Sequence, residues 1–271
     1  MDINHIKKTR NFSLYFKDFF IRRELFYMLV VRDFKTNYKQ SIFSYTWLII
    51  QPLLLMMVMT IFFSYLGKFP SDGVPYPVFI LCALVPWRMF ASSVGSGALS
   101  ITKASGLIKQ VYFPRIYLPL LGISTGVINS FFALIVLICI LLYYGFDISY
   151  KMFLLPFGFL IVIILSTGIS LILTSMNTFF RDVGKIVPIL VQSWMYLSPI
   201  IYPITMVPDA FKEPYSYNPM VGVIYLFRWA CADVGLFPTL LLFKSVAISL
   251  LIFILGLILF KRFDRVFVDV L

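Results

Sequence analysis

Five stretches of this chain, roughly 42–66, 78–100, 118–143, 153–176 and 240–260, are apolar over at least the about 20 helical residues that cross a hydrocarbon core. No other feature constrains the fold as strongly. Lipid offers the backbone no hydrogen bonds, so each run must satisfy its own peptide groups as a helix. A sixth stretch near 187–203 is shorter and carries Pro188, Pro199 and Pro203. It reads as a span that breaks toward its far end. With 61% apolar and 13% charged residues, the chain has about half the charge of a soluble domain, so residues 1–271 read as one membrane domain.

Six spans put both termini on one side, and Lys and Arg decide which. Residues 1–41, Lys103, Lys109, Arg115, Arg181, Lys185, Lys261, Arg262 and Arg265 place 17 of the 23 basic residues on the side of the termini. Lys68, Lys151, Lys212, Arg228 and Lys244 fall opposite, and Arg88 lies inside a span. Both termini are therefore expected in the cytoplasm. The basic balance follows from this topology and from anionic lipid, with no nucleic acid needed.

Ahead of the first span, residues 12–39 place Phe12, Phe16, Phe19, Phe26, Tyr27, Val30 and Phe34 on one helical arc, with Lys17, Glu24, Arg32 and Lys35 elsewhere. Its apolar run is too short to cross, so an amphipathic helix on the cytoplasmic leaflet is expected. The basic start lacks an apolar core leading to a cleavage site, so the mature protein should keep it. Residues 204–239 are rich in proline and aromatics, neither a clean span nor a polar loop. They read as a helical hairpin re-entering from the outer side. The expected fold is thus an all-α integral membrane protein: six transmembrane helices, an N-terminal interfacial helix, and a re-entrant hairpin between spans five and six.

Several kinds of chemistry lack their residues. Cys82, Cys139 and Cys231 are scattered, and the one histidine, His5, sits in a polar stretch, so neither a metal site nor a redox pair is expected. All 12 acidic residues fall in loops or flanks, which leaves no mid-membrane carboxylate for proton coupling. No nucleophile–base constellation suggests an enzyme. A P-loop GxxxxGK[ST] is absent as well, so a motor for uphill transport would have to be on another chain.

Five segments carry a resemblance: LVPWRMF at 84–90, SGLIKQVYFPRIYLP at 105–119, NTFFRDVGKIVP at 177–188, SPIIYP at 198–203 and YNP at 217–219. Together they resemble the type-2 ABC permeases that export O-antigen, capsule and teichoic acid polymers. The C-terminal FKRFDRVFVDVL at 260–271 is similar to the tail of the O-antigen members, with Asp264 where a Glu is expected. The resemblance implies a homodimer in the bacterial inner membrane, with two copies of an ABC ATPase docked beneath. ATP and Mg would bind that partner, with no cofactor on this chain. A lipid-linked polysaccharide, O-antigen foremost, would enter from the cytoplasmic leaflet. Lys109, Phe113, Pro114, Arg115, Arg181 and Asp182 would be the ATPase-coupling residues.

Arg88, about ten residues into the second span, should face a cavity, a partner or the subunit interface, because facing lipid costs several kcal/mol. It could bind the pyrophosphate or acidic sugars of a lipid-linked glycan, or it could snorkel or pair with backbone carbonyls beside Pro86. Trp87, Phe90, Trp194, Tyr196 and Tyr202 lie near proline-marked span ends, where aromatic rings could stack on a sliding sugar chain or belong to the interfacial belt. An ion-coupled lipid or sugar carrier would have Arg88 as its sole mid-membrane ionisable group. A membrane glycosyltransferase or acyltransferase should show catalytic acids or a histidine at a membrane face.

Overall fold

The computed structural model describes residues 23–38, 44–110, 113–264 and 267, and every regular element among them is helical. Helix α1 is Arg23–Tyr38. Then α2 (Trp47–Leu66, its last two turns widened to a π-helix) and α3 (Tyr76–Ala98) follow. Two short helices, α4 Ser100–Lys103 and α5 Ser105–Gln110, lead into α6, Tyr117–Tyr143. Helix α7, Leu155–Phe179, has a 3-10 lead-in from Tyr150. Next come α8 Asp182–Tyr196, α9 Asp209–Ser216, α10 Pro219–Ala232 and α11 Thr239–Phe263.

Five of these, α2, α3, α6, α7 and α11, are long and apolar enough to cross a membrane. Helix α8 occupies the sixth stretch but has only 15 residues, about 22 Å of rise. It stops at Tyr196 because Pro199 and Pro203 cannot donate to a helical ladder, and 197–203 run as turns. Helix α10 begins where Asn218 caps it and Pro219 takes the first position. It ends at Asp233, in left-handed conformation with φ 54°.

The centre of the bundle is α3. In its most apolar window 78% of residues are buried inside the chain, against 22% for α2 and for α11. It packs on α6, α7, α8, α10 and α2. Its neighbours come close because small residues line the contacts: Gly97 lies against Ser170, and Gly122 against Gly97.

A second apolar cluster closes one end of the bundle. Leu25, Phe26, Leu29 and Val30 of α1 pack there with Ile101, Phe113, Tyr117, Leu171, Phe260 and Phe267, leaving Tyr27, Met28, Arg32 and Lys35 exposed. Residues 12–22 and 39 of the expected interfacial helix, with Phe12, Phe16, Lys17 and Phe19, lie outside the described residues, as does His5. This end is called the α1 end below; α9 and α10 mark the opposite end.

Candidate functional site

At the α1 end two turns stand between long helices. In the first, Phe113 is buried in the second cluster and Pro114 beside it is buried as well. Arg115 donates to the backbone carbonyl of Asp264 and reaches its carboxylate at 3.4 Å, the pair being about one-fifth exposed. This turn is therefore fastened to the end of α11. Lys109 falls on α5, its side chain outside those described. The second turn is shaped by Asn177, whose Nδ2 donates to Thr102 Oγ1 at 3.1 Å while Oδ1 accepts the Gly184 N–H at 2.8 Å. With its base held, the turn projects Phe180, 68% exposed, together with exposed Arg181 and Asp182. The Asp182–Lys185 pair at 3.1 Å is fully in the open and worth little.

Inside the bundle Arg88 is half-buried and donates from Nη2 to Gln51 Oε1 of α2 at 2.8 Å. Trp87 and Phe90 are buried in the chain's own core, with ring centroids 5.2 Å apart, and Phe90 meets Trp194 edge-on at 5.1 Å. Tyr196 is half exposed, and its carbonyl accepts the Tyr202 hydroxyl at 2.8 Å. The structure thus joins Trp87, Phe90 and Trp194 in one aromatic cluster and ties Tyr202, in the turns after α8, to Tyr196 at the last position of that helix.

Two residues at the opposite end were not singled out from sequence. Asn218 accepts the Trp194 indole N–H at 3.0 Å and donates to both Leu197 O and Ser198 Oγ at 3.0 Å. Arg228 is fully buried, with its guanidinium carbon 3.5 Å from the Phe79 ring centroid and Nη2 donating to Ile200 O at 3.1 Å. The Asn-Pro pair before an apolar run is a readable helix start. For Arg228 the burying partners Phe79 and Ile200 are distant in sequence, and only Tyr225 is local. Outside the bundle, the Lys212 ammonium, 2.6 Å from Asp209, holds that exposed carboxyl below its ordinary range.

Helices of bilayer length wrapped around a buried central one define a polytopic helical membrane protein. The chain belongs to the ABC-2 type transporter family, whose model matches residues 24–232. Among its relatives is an O-antigen export system permease protein RfbA of Klebsiella pneumoniae, 32% identical over 208 residues, 75% of this chain and 80% of the relative. A second protein of that name from the same species is 28% identical over 254 residues, 91% of this chain and 96% of its own. The polysialic acid transport protein KpsM of Escherichia coli is 25% identical over 211 residues, 74% and 79% of the two chains.

Proposed function

We propose that this chain is the membrane subunit of an ATP-driven exporter that moves a lipid-linked polysaccharide, O-antigen in the first place, out of the cytoplasm across the bacterial inner membrane. The observation that carries the reading is similarity along 91% of the chain to a protein named an O-antigen export permease. Capsule and teichoic acid polymers are the nearest alternatives, and the likeness to a polysialic acid transport protein spans less of the chain. In this reading the α1 end and both termini are cytoplasmic. Helix α8 with 197–203 is the fifth of six crossings, and α9–α10 form a re-entrant hairpin from the outer side.

Two copies would enclose the path. The open face of α11 is Leu240, Phe243, Leu250, Leu251, Ile254, Leu255 and Ile258, suited to lipid tails. Gln192, Ser193 and Tyr196 interrupt the open face of α8, which suits a second copy or a sugar chain better than lipid. Two copies of an ABC ATPase, carrying ATP and Mg, would dock on the projecting Phe180–Arg181–Asp182 turn. Co-expression with an ATPase encoded beside it and purification by a tag on this chain should yield a complex of two and two that moves polymer into vesicles. A chain that moves glycan alone down an ion gradient would overturn the reading. An aromatic residue at the centre of an interface often dominates its energy, so Phe180→Ala should weaken ATPase association about tenfold. Titration of the ATPase onto detergent-purified permease measures this.

In this reading the half-buried Arg88 guanidinium, which donates to Gln51 at 2.8 Å, would meet a passing diphosphate or acidic sugar. Losing one charge-assisted contact, Arg88→Ala should slow export about threefold to tenfold at unchanged ATPase binding. An unchanged export rate would remove Arg88 from the path.

A further inference from the structure

The turns at 197–203 leave backbone groups without helical partners, and inside a membrane protein these must be satisfied by something. Side chains supply the need. Leu197 O takes Asn218 Nδ2, Ile200 O takes Arg228 Nη2 at 3.1 Å, and Ile201 O takes the Tyr76 hydroxyl at 2.8 Å. The N–H of Ile204 donates to the Tyr225 hydroxyl at 2.9 Å. Asn218, Tyr225 and Arg228 all belong to α10 or its cap, so one short helix holds most of the broken segment.

Asn218 is saturated. Its Oδ1 accepts from the Trp194 indole and, at 3.1 Å, from the Met220 N–H, while Nδ2 serves Leu197 and Ser198. The cost of burying Arg228 is visible in its remaining donors, since Nε and Nη1 have no hydrogen-bond partner. A methionine of similar reach would fill that space without the desolvation cost, so packing alone does not account for an arginine here. It gives a carbonyl of the broken segment a fixed, charge-assisted donor.

We infer that Asn218 and Arg228 are positioning residues which lock the end of α8, the segment 197–204 and α10 into a single body. That body closes the outer end of the path and moves as a unit when polymer passes. The inference rests on the transport reading above, and its test includes a wild-type arm in which failure of that reading would show separately, as absence of ATP-driven export.

The exporter, permease with its ATPase, is reconstituted in liposomes, and passive efflux of trapped glucose is measured beside ATP hydrolysis and polymer export. Asn218→Asp keeps the acceptor that caps α10 but cannot donate to Leu197 and Ser198. With the two donor bonds gone it should raise glucose efflux about fivefold or more, as Asn218→Ala should, with ATP hydrolysis within about twofold of wild type. Arg228→Met should leak similarly, and Arg228→Lys, which can still donate to Ile200, should leak less. If Asn218→Asp is as tight as wild type while Asn218→Ala leaks, Asn218 is a helix cap only and the inference fails. Should these variants not accumulate, Ser198→Cys/Asn218→Cys, in a chain whose native cysteines are replaced by Ala, decides the matter. The oxidised pair should seal and still export. Export arrested by oxidation and restored by reduction would mean that the segment separates from α10 during transport, overturning the single-body inference.

Discussion

Arg115→Asp should cut export at least about thirtyfold, and adding Asp264→Arg should restore a substantial part of it. The guanidinium of Arg115 reaches both the carbonyl and the carboxylate of Asp264, the residue that caps α11. A cation at a helix C-terminus satisfies orphan carbonyls and complements the dipole. Because the pair is only about one-fifth exposed, it should exceed the zero to about 1 kcal/mol of a surface bridge. Reversal places two carboxylates where one ion pair stood. Phe113 is packed into the same cluster as Phe260 and Phe267 and Pro114 beside it is buried, so in the proposed exporter a push on this turn would pass to the last helix only while that joint holds. Loss of about 2–3 kcal/mol across such a joint corresponds to at least about a thirtyfold fall in export. Polymer at the outer face, beside the amount of ATPase retained on the purified permease, measures it. Rescue by the double reversal places the role of Arg115 within this chain. No rescue, with the ATPase lost from both variants, would assign Arg115 to the ATPase surface.

What the sequence made legible follows the solvent. A bilayer fixes helix length, so five spans could be read from apolar runs alone, and the prolines after Trp194 marked where α8 breaks. Hydropathy did not reveal which span lies at the centre. The buried helix α3 has the lowest mean hydropathy of the five, 1.6, while the largely exposed α11 has 2.6. A helix surrounded by protein can carry Ser92, Ser93, Gly95, Ser96 and Gly97, whereas one facing lipid cannot afford many polar groups. Arg228 counted in sequence as one of five basic residues on the outer side, because side-chain direction cannot be tracked through a proline-rich stretch. Its partners Phe79 and Ile200 become neighbours only in three dimensions. Phe113, which the resemblance sets among the ATPase-coupling residues, is buried by a cluster that draws on Leu29, Leu171, Phe260 and Phe267, contacts no local pattern announces. Asn177 and Asn218 stood inside motifs readable as strings, NTFFRD and YNP, but their hydrogen bonds to Thr102, Leu197 and Ser198 needed the fold.

Replacing Gly168 by Leu should leave almost no folded protein. A Cβ at Gly168 would sit 2.7 Å from both the Cα and the N of Phe253, and a Cβ at Gly256 would meet the backbone of Gly168 in turn. These are main-chain atoms, which no rotamer change can move aside, so α7 and α11 would have to part. In a membrane, where lipid tails are as apolar as the side chains, close backbone approach supplies much of the attraction between helices. Overpacking costs about 1–3 kcal/mol for small additions, the scale expected for Gly168→Ala; the three further heavy atoms of leucine between touching backbones go beyond it, against a typical stability of about 5–15 kcal/mol. Gly95 is the control, since a Cβ there meets nothing within 4 Å. Gly95→Ala should be neutral or stabilise by up to about 1 kcal/mol through helix propensity. The monodisperse fraction after detergent extraction and its melting midpoint should rank Gly95→Ala with wild type, Gly168→Ala below it and Gly168→Leu near zero. In the proposed exporter the α7–α11 crossing would also carry motion, because α7 leads into the Phe180 turn and α11 ends at the partner of Arg115. Gly168→Ala should therefore lose export more steeply than ATPase binding, its crossing being strained while both turns at the α1 end remain in place.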